Sequence, residues 1–163
     1  MTIVRLSKIA LVASVALTCS LAVFENIVDP QINMAFVRHA LSMDTIFPDS
    51  GIQDRSITNP PLQTIAFLLI VAGEFLTALF LCIGTVLMVR RLKAPTGRFA
   101  QAKTWAIVGL SLGFVVWQAG FLGIGGEWFG MWMSKTWNGQ EAAFRFSTAL
   151  LGILIYVSMP EPE

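Results

Sequence analysis

The sequence predicts an all-α integral membrane fold: a four-transmembrane-helix bundle with an amphipathic periplasmic surface helix between the first and second spans. Three observations carry the prediction. Four apolar stretches, each about as long as a bilayer is wide, occupy more than half of the chain. Apolar residues make up 55 % and charged residues only 13 %, where a soluble domain carries about a quarter charged. The basic residues also gather to one side of the apolar runs. A backbone inside lipid must satisfy its own hydrogen bonds, and helices do so within a single segment.

The first span covers about residues 9–28, after Arg5 and Lys8. A cleaved secretory leader would start alike, with Ser20-Leu21-Ala22 as its small-x-small site. The run continues through Val23, Phe24, Ile27 and Val28, so a retained span is expected. An outer segment, 29–61, follows. Asp29-Pro30 opens a helix over about 30–47 and Pro48 closes it. Ile32, Phe36, Ala40, Met43 and Phe47 recur at helical spacing on one face, with Gln31, Arg38, Ser42 and Thr45 opposite. Such a helix can lie on the membrane, cap the bundle or dock a partner.

The second span, about 62–89, starts clearly: Asn59 can cap the free backbone donors and Pro60 suits the first helical position. A link, 90–103, leads to the third span at about 104–125, which is expected to stop at Gly125-Gly126. Beyond the aromatic turn 127–133, Asn138 and Glu141 resemble a capping box. They open the fourth span, about 140–157, and Pro160 and Pro162 bar its continuation. The whole, 1–163, reads as one membrane domain.

Orientation follows from the cations. Arg5, Lys8, Arg90, Arg91, Lys93, Arg98 and Lys103 lie on one side, against Arg38, Arg55, Lys135 and Arg145 on the other. Both termini and the 90–103 link are therefore expected in the cytoplasm. Trp105 and Tyr156 then mark the inner interface, and Trp128, Trp132 and Trp137 the outer one.

Glu74 stands out among the polar residues. Its count along the second span puts it near mid-bilayer, where an ionised carboxylate facing lipid costs about 2.5–3.5 kcal/mol, so it should face the interior. Gln118, Arg145 and Glu25 are its candidate partners in an intramembrane polar cluster, although Arg145 also follows Glu141 at the spacing of an intrahelical ion pair. Gly109 and Gly113 form a small-xxx-small face for helix packing, a spacing repeated by Gly73 and Thr77 and by Thr148 and Gly152. Trp128, Phe129, Trp132, Trp137, Phe36, Met43 and Phe47 form a candidate interaction surface or interfacial belt. Cys19 and Cys82 read as small buried apolar residues. His39 is the single histidine, which excludes a bis-histidine haem within one chain and means that a histidine-based zinc site would need a second chain. Neither a phosphate-cradling glycine loop nor an HExxH pattern occurs. No catalytic residue, metal ligand or cofactor is expected. With a net charge of +1 and no basic face, nucleic acid is not an expected partner.

Several segments together resemble a known family: Phe24-Glu25-Asn26 with Asp29, Met43-Asp44-Thr45-Ile46-Phe47, Gly73-Glu74, Gly126-Glu127-Trp128-Phe129, and Trp137 through Arg145. The chain is similar over almost its whole length to a bacterial family catalogued as predicted small integral membrane proteins of unknown function. The resemblance implies a four-span topology and a bacterial inner-membrane location, and no activity. Claudin-like tetraspan proteins carry a cysteine pair in the first outer loop, which is missing here.

The leading expectation is a non-catalytic accessory or scaffold subunit of a larger membrane complex, or a homo-oligomer. Its partners would be the lipid bilayer and other membrane subunits or itself. A small proton-linked transporter using Glu74 is the alternative. A lipid- or quinone-binding membrane protein is the third.

Overall fold

The computed structural model describes residues 2–161, and no strand occurs among them. The helices are α1 (Thr2–Val28), α2 (Pro30–Ser42), α3 (Pro60–Arg90), α4 (Thr96–Ala102), α5 (Thr104–Val115) and α6 (Gln140–Ser158). Short 3-10 turns stand at Gln53–Arg55 and Met131–Met133. Four helical stretches, Thr2–Val28, Pro60–Arg90, Thr96–Trp128 and Gln140–Ser158, are long and apolar enough to cross a membrane. The chain is an all-α membrane bundle.

Several boundaries differ from the sequence reading. α1 starts ahead of residue 9, so Arg5 and Lys8 lie within the helix and are buried. α2 ends at Ser42 rather than near 47: Met43 takes a left-handed φ of 55° and its N–H bonds the His39 carbonyl, closing the helix. Asn59 does cap α3, its Oδ1 accepting from the Leu62 N–H at 3.4 Å. The third span does not stop at Gly125-Gly126. It continues from α5 as a wider, π-helical segment, Val116–Trp128, closed by the Phe129 N–H on the Ile124 carbonyl at 3.0 Å. Gly120, Gly123, Gly125 and Gly126 all fall in this stretch, and glycine, with its larger backbone entropy, weakens a regular α-helix. At α6 the expected capping box is absent: Asn138 Oδ1 accepts from the Gln140 N–H at 3.1 Å, and the Glu141 side chain pairs with Arg145 instead. α6 ends at Ser158 with Pro160 beyond it, and Pro162 lies outside the described residues.

α3 is the central helix, with α1 on one side and α5 on the other; α6 closes against α5 and the π-helical segment. Glycines set these approaches. A side chain on Gly84 would meet the Ala106 backbone nitrogen at 2.5 Å, and one on Gly109 would meet the Leu81 backbone nitrogen at 3.0 Å. Gly113 receives Thr77 from α3 and Leu150 from α6. In lipid, where burying apolar surface gains little, such close backbone packing is what holds helices together. Gly152 meets nothing within 4 Å, so the Thr148/Gly152 spacing makes no contact of this kind. Cys19 is buried, whereas Cys82 is exposed on the outside of α3. Its Sγ lies 3.8 Å from Ser20 Oγ.

One end of the bundle gathers the start of α1, the 90–103 link and residues 159–161. Arg5 donates to the Leu92 and Ala94 carbonyls at 2.9 and 2.7 Å, pinning the link to α1. Lys8 and Lys103 both donate to Glu161 Oε1, at 2.8 and 3.0 Å, and both also reach the Met159 carbonyl. Tyr156 meets Ser7 at 2.6 Å. Three of the cations read from sequence as orientation markers, Arg5, Lys8 and Lys103, thus form a buried socket around one carboxylate. Arg5 Nε and Glu161 Oε2, 3.9 Å apart, make no hydrogen bond to the described residues.

Candidate functional site

The opposite end is built by α1, α2, α3, the π-helical segment and the start of α6. The Asp29 N–H still bonds the Glu25 carbonyl at 2.8 Å, and Pro30, which lacks an N–H, breaks the ladder there. α2 therefore runs on from α1 past the first half of α3. The Leu41 carbonyl accepts from the Ile57 N–H at 2.8 Å, just before α3 begins. Of the placements open to it from sequence, α2 packs against the bundle, on α3. Of the face expected to pack, Phe36, Ala40 and Met43 do so and Phe47 stays exposed, and the packed surface is rotated toward Asn33 and Val37. Ile32 is exposed, whereas Asn33, Phe36, Val37, Ala40 and Leu41 line the interior.

Beneath α2 a polar chain crosses three helices. Asn33 Nδ2 donates to Asn26 Oδ1 at 2.9 Å, and Asn26 Nδ2 donates to Glu74 Oε2 at 2.9 Å. With Glu74 ionised its carboxylate only accepts, which fixes both amide orientations and leaves the Asn33 carbonyl oxygen outside the row. Asn26 and Glu74 are both buried. The Asn26 bond sets Glu74 level with the last turn of α1. Glu74 is also midway along α3, because α3 extends beyond the end of α1.

These groups line a cavity of about 250 Å³, walled by Phe36, Phe67, Ile70, Trp117 and Phe121, with Glu25, Gly139 and Ala142 at its edge. Trp117 stacks on Phe121 at 4.6 Å and takes Phe146 edge-on at 4.9 Å, fixing the inner wall. A second cavity of about 210 Å³ shares Phe36, Val37, Ile70 and Phe121 with the first. It is almost wholly apolar, lying between α2, α3 and the π-helical segment through Leu69, Gly120, Ile124 and Gly125. A polar chamber thus adjoins an apolar groove. The roof is tied down by His39, which stacks on Trp137 at 4.3 Å and bonds Asp44 Oδ2 through Nδ1 at 2.7 Å. Thr45 meets buried Ser134 at 2.8 Å.

Only part of the expected polar cluster assembles. Glu74 and Glu25 share the chamber, Glu25 as an exposed residue on its rim. Gln118 is exposed and takes no part in the lining, because successive helix residues point in different directions and its neighbour Trp117 takes the inward one. Arg145 is also exposed and pairs with Glu141 on the surface of α6. The expected interaction surface divides similarly. Met43 and Phe129 are buried, and Phe36 and Trp137 pack against each other at 6.1 Å. Trp128, Trp132 and Phe47 remain exposed, with Phe47 edge-on to Trp132 at 5.8 Å and Arg55 over Trp128 at 4.6 Å. Asn26, the partner of Glu74, and Asn33, which bonds Asn26, escaped the sequence reading. Their spacing of seven residues across a Pro-broken helix was the available signal.

A family described as "predicted small integral membrane protein (DUF2165)" matches residues 4–160. No curated protein and no solved structure matches the chain.

Proposed function

We propose that this chain, which belongs to that family of small integral membrane proteins, binds an amphipathic molecule in the chamber around Glu74. It would sit as a multi-pass protein in a bacterial inner membrane with both ends and the 90–103 link in the cytoplasm. The cation distribution supports this orientation. The observation that carries the binding reading is the hydrogen-bonded row Asn33–Asn26–Glu74 lining a cavity that adjoins an apolar groove at Phe36, Val37, Ile70 and Phe121.

The row also selects the head group. Glu74 Oε1 makes no hydrogen bond to the described residues, the Asn33 carbonyl oxygen is free, and the Glu25 carboxylate stands on the rim. The chamber offers acceptors, so it fits a head that donates, an ammonium or hydroxyl, over a quinone carbonyl. The tail would follow Leu69, Phe121 and Ile124 toward the acyl chains. On its inner side the chamber narrows to a void of about 10 Å³ between Cys19, Thr77, Val116 and Phe146. Past it, Gly113, Thr77 and Leu150 pack closely. A closed floor supports a binding chamber over a proton-linked conduit. A scaffold role has less support, because four of the seven residues expected to face a partner are engaged within the chain.

Mass spectrometry of small molecules released from the protein purified in mild detergent tests this. Wild type should release an amine- or hydroxyl-headed amphiphile. Glu74→Gln should retain about tenfold less, since a charge-assisted hydrogen bond contributes about 1.5–3 kcal/mol. Ala142→Phe, which fills the chamber edge without touching the acid, should lower retention as well. Equal recovery from all three proteins overturns the reading.

A further inference from the structure

The strongly basic end of the bundle carries a second concave site, unconnected with the chamber. A cleft of about 320 Å³ is lined by Leu87, Arg91, Arg98, Gln101 and Ala102. We propose that it binds the phosphate of an anionic membrane phospholipid.

The argument begins with charge. Every ionisable side chain from Arg90 to Lys103 is basic. Among the described residues the carboxylate at this end is Glu161, and it is enclosed by Arg5, Lys8 and Lys103. Arg5 further spends its guanidinium on the Leu92 and Ala94 carbonyls. Arg91 and Arg98 have no acidic partner among the described residues.

Geometry adds the second part. Arg91 caps the end of α3, and Arg98 lies on α4. The two guanidiniums thus come from different elements onto one cleft, with the Gln101 amide a turn beyond Arg98. Planar guanidinium groups match phosphate oxygens two at a time, and an amide adds a further donor. Depth decides between a lipid and a soluble phosphate. Leu87 stands one turn inside Arg91, and the outward Val86 and Val89 are exposed along the same stretch of α3. The cleft therefore lies where an apolar helix surface gives way to charge, at the level of the head groups, and an acyl chain can continue along α3. Basic pockets between helices at a membrane edge are suited to anionic head groups.

Native mass spectrometry, with the full chain exposed to equal amounts of phosphatidylglycerol and phosphatidylcholine, provides the test. Wild type should keep phosphatidylglycerol several-fold better. Arg91→Gln/Arg98→Gln should bring the ratio close to one. Lys93→Gln, which removes a cation from the same link but outside the cleft, should leave the preference intact. Both sets of residues are exposed, so none of these changes disturbs the packed interior. A double variant with the wild-type preference overturns the proposal, as does an equal loss in Lys93→Gln, which would indicate diffuse attraction. Millimolar inorganic phosphate that displaces the lipid from wild type overturns the lipid assignment in favour of a soluble phosphate.

Discussion

Glu161→Gln keeps the size of the side chain and removes its charge from a socket that holds three cations. The side chains of Arg5, Lys8 and Lys103 are 3 %, 1 % and 5 % exposed, and that of Glu161 is fully buried. Removing one partner of a buried ion pair costs about 3–5 kcal/mol, because the remaining charge stays in a poor solvent. Here both lysines retain the Met159 carbonyl as an acceptor, which places the cost toward the lower figure. At roughly 2–4 °C per kcal/mol for a chain of this size, a loss of about 3 kcal/mol lowers the melting temperature by about 6–12 °C. Tryptophan fluorescence of the purified protein, heated in mild detergent at neutral pH, measures it. A variant that melts within about 1 °C of wild type would show that residues 159–161 are not seated among those cations, and would refute the argument.

The same group makes stability depend on pH. Burial by itself would raise the Glu161 carboxyl, and the hydrogen bonds and charges of Lys8 and Lys103 outweigh it, so it titrates below its ordinary 4.5. A lowered folded-state value means that the contribution is complete above the unfolded value and is lost as pH falls through the folded one. The melting difference between wild type and Glu161→Gln should therefore stay constant above about pH 5 and close in more acid solution; a difference that widens on acidification contradicts the assignment. Two glycines give a matched pair on helix packing. Gly84→Ala, forced against the Ala106 backbone, should destabilise by about 1–3 kcal/mol. Gly152→Ala, in open space, should be neutral or gain up to about 1 kcal/mol from helix propensity. Equal melting of the two variants would contradict the α3–α5 approach.

The spans were legible because length and apolarity are what a bilayer demands, and Asn59, Gly109 and Gly113 act through local rules that sequence displays directly. Glu74 was legible for the same reason, as a charge that lipid penalises. Its partners were not. In a membrane protein the outward face is as apolar as the inward one, so periodicity could not tell exposed Ile32 from the interior face at Asn33 and Val37. Asn26, two residues from the end of α1, is indistinguishable in sequence from a residue bound to water. Gln118 was misplaced because its depth along the third span does not say which side of the helix it takes, and it is exposed. The socket around Glu161 was hidden because a cation beside a span looks the same whether it marks orientation or pairs with a carboxylate far away in sequence.

The central claim is that Glu74 turns inward to meet Asn26 beneath α2. Asn26→Cys and Glu74→Cys, introduced together with Cys19→Ala and Cys82→Ala and treated with a short bifunctional thiol reagent, measure it most directly. The account predicts an intramolecular link recovered by peptide mass spectrometry, and no link when Cys is placed at exposed Leu69 in place of Glu74. Failure of the first pair to link, while the Leu69 pair links readily, would show that the acid faces lipid and that the chamber does not exist.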